Sequence, residues 1–159
     1  MFTETQRFTQ WWLWLIIIGS WLTMMYSIAT VSPPTTSTFM ISFVVGMLLP
    51  VLFWQMKLVT RITEEGIYVR FFPFHLKEKF YAWESLSACY VRTYSPLMEY
   101  GGWGIKYSFS GNGLVYNTAG NIGLQLNFKK GEPVLIGTQK GEEIKQVLAA
   151  LGHLNESVK

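Results

Sequence analysis

Two stretches without a charged side chain, "WWLWLIIIGSWLTMMYSIAT" at residues 11–30 and "FMISFVVGMLLPVLFWQM" at residues 39–56, constrain this chain more than any other feature. A helix rises 1.5 Å per residue, so each run reaches roughly 27–30 Å, about the thickness of bilayer hydrocarbon. Between them "VSPPTTST" carries Pro33 and Pro34, which end one helix and leave a short polar turn. The pair predicts a transmembrane helical hairpin. Composition agrees with it: 50% of the chain is hydrophobic and only 14% charged, where soluble proteins carry about a quarter.

Arg7 ahead of the first run raises the alternative of a cleaved signal peptide. The length of the run, the tryptophans crowding its start and the lack of a small-residue cleavage site favour a retained span. Trp11, Trp12 and Trp14 read as interfacial anchors, mirrored by Trp54 at the end of the second run. The turn is uncharged, whereas Arg7, Lys57 and Arg61 flank the pair, so the positive-inside rule places both termini in the cytoplasm. Pro50 is expected to kink the second helix, and Gly46 to let the first approach closely. Neither span holds an ionisable group, so neither offers a legible path for protons or ions.

From Lys57 the pattern changes to the alternation of half-buried strands. In "GIYVRFF" Ile67, Val69 and Phe71 share one face and Tyr68 and Arg70 the other, which makes "VTRITEEGIYVRF" a hairpin turning at Glu65-Gly66. "LKEKFYAW" and "SACYVRTY" read as further strands. So do "GWGIKYSF", with Trp103, Ile105, Tyr107 and Phe109 on one face, "GLQLNF", with Leu124, Leu126 and Phe128, and "PVLIGT". The chain then turns helical: Ile144, Val147, Leu148 and Leu151 form one apolar stripe, Glu142 and Glu143 suit the first turn, and Gly152 is a stop. The expected layout is α+β, with residues 1–56 as an N-terminal segment and helical hairpin and residues 57–159 as a cytoplasmic domain. That domain reads as about seven antiparallel strands closed by one C-terminal helix.

The segments "TRITEEGIYVRFFPF", "YVRTYSPLMEYGGWGIK" and "GLQLNFKKGEPVLIGTQKGEE", with a strand-turn "G-I", a "GGWG" stretch and a closing "IGTQ" before the last helix, carry a resemblance. The chain resembles bacterial membrane proteins that hold a pleckstrin-homology-like domain behind two helices. The resemblance covers nearly the whole chain and implies a seven-stranded antiparallel barrel capped by a helix, a binding role and the bacterial inner membrane as location. One departure matters. Domains of that kind that bind phosphoinositides place basic residues around the first hairpin loop, whereas Thr63-Glu64-Glu65-Gly66 sets two carboxylates there, which would repel a headgroup.

Glycine-rich "EYGGWGIKYSFSGNG" at 99–113 invites comparison with a phosphate-cradling loop. Such a loop needs G-x-x-x-x-G-K-[ST] between a strand and a helix, because helix-terminal amides carry the binding. Here the glycines fall between strands and no Ser or Thr follows Lys106, so Gly101 and Gly102 read as a bend or bulge and Gly104 as a place of close approach. Arg92, Tyr90 and Tyr94 share one face of their strand, with Lys106 expected on a neighbouring strand. Together with Trp103 they form a candidate contact for anionic lipid or an acidic partner, set against the plainer reading of a solvated face. "TQKGEE" offers amides to an anion, or a helix cap from Thr138 or Gln139.

Chemistry finds little to work with. The chain has no aspartate, a single cysteine and two histidines; His75 and His153 lack companions at ligand spacing, and Cys89 sits in an apolar strand. No serine lies near a histidine–acid pair, so catalysis is not expected, nor is a cofactor or metal. A formal charge of +3, with no basic run longer than Lys129-Lys130, gives no reason to expect nucleic acid. The function expected is a membrane-anchored interaction or scaffolding module with a protein partner and the bilayer itself. Two alternatives stand beside it. One is an accessory subunit of a larger membrane complex, bound through small residues such as Gly19, Ser20, Ser42 and Gly46. The other is a homo-oligomeric pore using Ser20, Thr23, Ser27 and Thr30, although hydroxyls in membrane helices also bond to their own backbone.

Overall fold

A computed structural model describes residues 1–31, 35–108 and 111–155. It is α+β, with two apolar helices near the N-terminus and two β-sheets. The chain divides into two compact units: Phe8–Met56, and Met1–Arg7 together with Lys57–Lys159.

In the helical unit, α1 (Trp11–Val31) and α2 (Thr36–Gln55) are each long and apolar enough to cross a membrane. Pro33, Pro34 and Ser32 lie outside the described residues. Thr35 caps α2, its Oγ1 accepting the amide of Thr38 at 3.3 Å, and α2 continues through Pro50 to Gln55. The two helices pack where Gly46 leaves room. A methyl group there would fall 2.5 Å from Cδ1 of Trp21, whose ring meets Phe43 edge-on at 5.3 Å. Outward-facing Leu15, Ile16, Leu22, Ile41, Val44 and Leu48 stay exposed. Hydroxyls of Ser20, Thr23 and Thr30 donate to carbonyls of Ile17, Gly19 and Tyr26 on their own helix at 2.8–2.9 Å. Trp11 and Trp54 are well exposed, Trp12 less so, and Trp14 is half-buried with its indole N–H on the Phe8 carbonyl at 3.0 Å.

In the sheet unit, β1 (Phe2–Arg7), β2 (Lys57–Ile62), β3 (Gly66–Phe72) and β4 (Lys79–Ala82) form an antiparallel sheet in that order. The second sheet comprises β5 (Leu86–Thr93), β6 (Gly104–Tyr107), β7 (Leu114–Asn117), β8 (Ile122–Phe128) and β9 (Val134–Thr138), ordered β5-β8-β9-β7-β6. The expected alternation is seen in β3, whose Ile67, Val69 and Phe71 are fully buried, each worth roughly 1.5–3 kcal/mol of transfer energy. Helix α4 (Gly141–Ala150) buries Ile144 and Leu148 and ends past Leu151, where the amides of Gly152 and His153 return to the carbonyls of Ala149 and Leu148.

Three expectations need correction. The strands form two separate sheets rather than a closed barrel, and the described residues hold nine strands rather than about seven. Not all pairs are antiparallel: β9 inserts between β8 and β7 and runs parallel to β7, with Val115 opposite Leu135. Residues 2–7, expected with the helices, instead form β1, in register with β2 from Phe2↔Ile62 to Arg7↔Lys57. The inner face of β1 is Phe2, Glu4 and Gln6, and two polar residues on a buried face hide the strand from any hydrophobic reading. Ile105 and Tyr107 line no core face either. They lie on edge strand β6, half-buried and exposed respectively, and Phe109 is outside the described residues.

Candidate functional site

The segment between β5 and β6 crosses one face of the second sheet as a strap. Ser95 caps the short helix α3 (Pro96–Tyr100), and Gly101, at φ 69°, ends it in the left-handed region open to glycine. Amides of Gly101 and Gly102 are spent on carbonyls of Leu97 and Pro96 at 2.9 and 2.8 Å, so they cradle no phosphate. Gly104 has open space where a side chain would stand, not the close approach expected of it. Beneath the strap Tyr94, Tyr100, Val115 and Leu135 form a buried apolar cluster.

Strap contacts account for the polar residues singled out in the sequence. Arg92 makes a two-pronged ion pair with Glu99, at 2.8 Å from Nη2 and 3.3 Å from Nη1, and its Nε donates to Gln125 Oε1 at 2.9 Å. Burial alone would favour a neutral Arg92, but hydrogen bonding and attraction from Glu99 outweigh it and hold its pKa above the ordinary value. Glu99 shows the reverse balance: burial raises its pKa, and bonds from Arg92 and the Ser95 amide more than offset this and lower it. Tyr94 is buried, accepts from Asn117 Nδ2 at 2.9 Å, and has its pKa pushed up to about 12, chiefly by burial. Lys106 donates to the Gly101 carbonyl at 3.0 Å, and the Trp103 indole to Gly120 at 3.4 Å. Lys106 is not on a strand next to Arg92. β5 and β6 are opposite edges of the sheet with three strands between them, a spread of roughly 19 Å.

A groove of about 390 Å³ opens on the other side of β5, lined by Val91, Thr93, Ile122 and the start of α4. Here β5 is the outermost strand. Cys89 turns both backbone groups to that outer edge: its amide donates to Asn155 Oδ1 at 2.8 Å and its carbonyl accepts the Asn155 amide at 2.9 Å. Because backbone groups alternate along an antiparallel strand, Val91 and Thr93 also direct theirs to this edge, into the groove. Among the described residues no strand covers them. Charges on α4 beside the groove are paired locally, Lys140 with Glu143 and Lys145 with Glu142, which leaves backbone recognition as the main chemistry on offer.

Start-of-helix anion binding by "TQKG" meets a built-in competitor that the sequence reading missed. Glu4 of β1, buried, accepts Thr138 Oγ1 at 2.6 Å and the Gln139 amide at 2.9 Å, and Thr138 Oγ1 accepts the Lys140 amide at 2.9 Å. Gln6 extends the seam by donating to the Gly137 carbonyl at 2.7 Å. His153 stacks on Trp83 at 4.2 Å, and His75 meets Tyr116 edge-on at 5.3 Å. Cys89 is buried, its thiol pushed up to about 12 by desolvation.

A second depression of about 400 Å³ lies at the β2–β3 turn, where Glu64 and Glu65 sit beside Tyr68. It is the loop that the resemblance would make a headgroup site, and its lining sets Glu64 and Glu65 beside Arg61, which is already paired with Glu78. No curated protein matches the chain. A model of a family of unknown function matches residues 6–152, which takes in both apolar helices, the second sheet, most of the first and α4, and the chain therefore belongs to that family, DUF6141.

Proposed function

We propose that this protein is a non-catalytic binding module held at the cytoplasmic face of a membrane by two spanning helices, receiving an extended segment of a protein partner along the outer edge of β5. The observation that carries this reading is the open edge at Val91 and Thr93 beside a groove. An added strand there would gain main-chain hydrogen bonds, and the groove would take alternate side chains. Asn155 already makes the contacts of one such residue at Cys89. Membrane anchoring is supported by the length and composition of α1 and α2, and cytoplasmic placement by Arg7, Lys57 and Arg61 at their ends. The order of strands followed by one helix keeps the resemblance to pleckstrin-homology-like proteins as a guide to a binding role.

The test is photo-crosslinking in native membranes from three positions, Thr93, Glu65 and Ile41. The module reading expects one stoichiometric protein captured from Thr93 and not from Glu65. Capture from Ile41 alone would replace it with the accessory-subunit reading, which the outward apolar faces of α1 and α2 favour. Self-crosslinks alone would favour a homo-oligomer.

A further inference from the structure

The first sheet has two chemically different ends. At one end the β2–β3 turn carries Glu64 and Glu65. At the other the register aligns Arg7, Lys57 and Phe72 in a terminal row, and the chain leaves that row for the helical segment after Arg7 and returns from it at Lys57. Seven residues of β3 separate the two ends, roughly 20 Å.

The loop from Pro73 to Glu78 emerges from this junction end, directly after Phe72. It is held in one shape. The His75 amide donates to the Phe71 carbonyl at 2.7 Å, the Phe71 amide donates to His75 Nδ1 at 3.4 Å, and Arg70 Nε donates to the His75 carbonyl at 3.3 Å. From this braced turn Phe74 and Leu76 project with 58% and 77% of their surface exposed. The basic groups at this end of the sheet and on the loop include Arg7, Lys57, Arg70 and Lys77, and among the described residues none of these four forms an ion pair, while Glu78 is taken by Arg61 at 2.7 Å.

We infer that the Phe74–Leu76 loop is a lipid contact that dips into the headgroup region of the membrane the helices cross, with Lys57, Arg70 and Lys77 meeting anionic headgroups. Three features select a bilayer over a protein as its occupant. Both covalent junctions to the apolar segments leave from the same end of the sheet as this loop, whose preceding residue Phe72 is in register with Lys57. A rigid turn with apolar residues at its tip and cations at its flanks is the pattern of an interfacial anchor. The opposite end carries Glu64 and Glu65 on its turn, with Arg61 beside them already paired to Glu78, and exposed carboxylates are repelled by an anionic surface. The inference rests on the reading of α1 and α2 as spanning helices.

The test uses the full chain in vesicles of phosphatidylcholine with phosphatidylglycerol, some lipids carrying a nitroxide near the headgroup. An environment-sensitive fluorophore is attached in separate variants to Leu76→Cys, Glu65→Cys or Ile41→Cys; native Cys89 is buried and stays unlabelled. We expect the label at position 76 to lose most of its fluorescence to the nitroxide and the label at 65 to keep it. Replacing phosphatidylglycerol by phosphatidylcholine should reduce the loss at 76. Equal behaviour at 65 and 76, with the label at 41 blue-shifted as in hydrocarbon, would overturn the loop contact while leaving the spanning helices intact. A label at 41 with the emission of a water-exposed site would sink the spanning reading itself. A second variant, Phe74→Ser, changes only an exposed side chain and should lessen the loss at 76 with the circular dichroism of the chain unchanged.

Discussion

A buried carboxylate is an unusual choice for the inner face of a strand, and Glu4 shows what makes it tolerable. Its two oxygens take the Gln139 amide and the Thr138 hydroxyl at the entry to α4, and the hydroxyl would otherwise be buried without an acceptor. Glu4→Ala should therefore destabilise the sheet unit by about 2 kcal/mol, the usual penalty for orphaned buried donors, measured by chemical denaturation of the full chain in detergent. Directly across the strand pair, Thr60 is buried and its hydroxyl finds no partner among the described residues. Thr60→Val removes that burden at constant shape and should raise stability by about 1 kcal/mol. The Arg92–Glu99 pair makes a pH prediction. The folded pKa of Glu99 lies below its ordinary 4.5, so its contribution is complete above about pH 4.5 and is lost as pH falls through the lowered value. In Glu99→Gln that part of the acid destabilisation should vanish, and a pH titration of stability with a slope unchanged from the parent chain would refute the assignment.

At the level of elements, the helix pair depends on one position. Gly46 sits against Trp21, and a branched side chain there must separate the helices, so Gly46→Leu should destabilise the pair by about 1–3 kcal/mol. Gly19 has nothing within 4 Å of a hypothetical side chain, and Gly19→Leu should be nearly neutral; thermal melts by circular dichroism in the same detergent compare the two. The contrast also shows what a sequence can reveal. The long apolar helices were legible from length and composition alone, and the β2–β3 hairpin and the stripe of α4 because periodicity and burial agree there, as in Ile67, Val69 and Phe71. β1 was not, because its buried face is half polar and its partner lies beyond both helices. Sheet order was not, because β9 entering between β8 and β7 leaves no local trace. The candidate site fared the same way: that Arg92 and Tyr94 share a face was readable, but Glu99 and Asn117, which engage them, arrive through α3 and β7, and Asn155 reaches Cys89 from the far end of the chain.

For the molecule as a whole, the β1–β2 pairing is a statement about compartments. Strands that hydrogen-bond across Arg7↔Lys57 must lie on one side of any membrane, so the intervening segment crosses an even number of times. Single-cysteine variants Thr3→Cys and Glu65→Cys should be shielded from an impermeant maleimide in intact cells and react once the membrane is opened, whereas Ser37→Cys should react from outside. The same pairing sets an order of events during synthesis. β1 leaves the ribosome first, yet every backbone bond it makes within its sheet is to a strand made only after both helices. If α1 and α2 span a membrane as proposed, its sheet partner would reach it only once both helices had returned the chain to the starting side. On the proposed spanning reading, a hairpin only half inserted would put β1 and β2 on opposite sides and leave β2 with a bare edge and Glu4 without the hydroxyl and amide it accepts. On that reading, closure of the β1–β2 edge would report that the chain had crossed an even number of times.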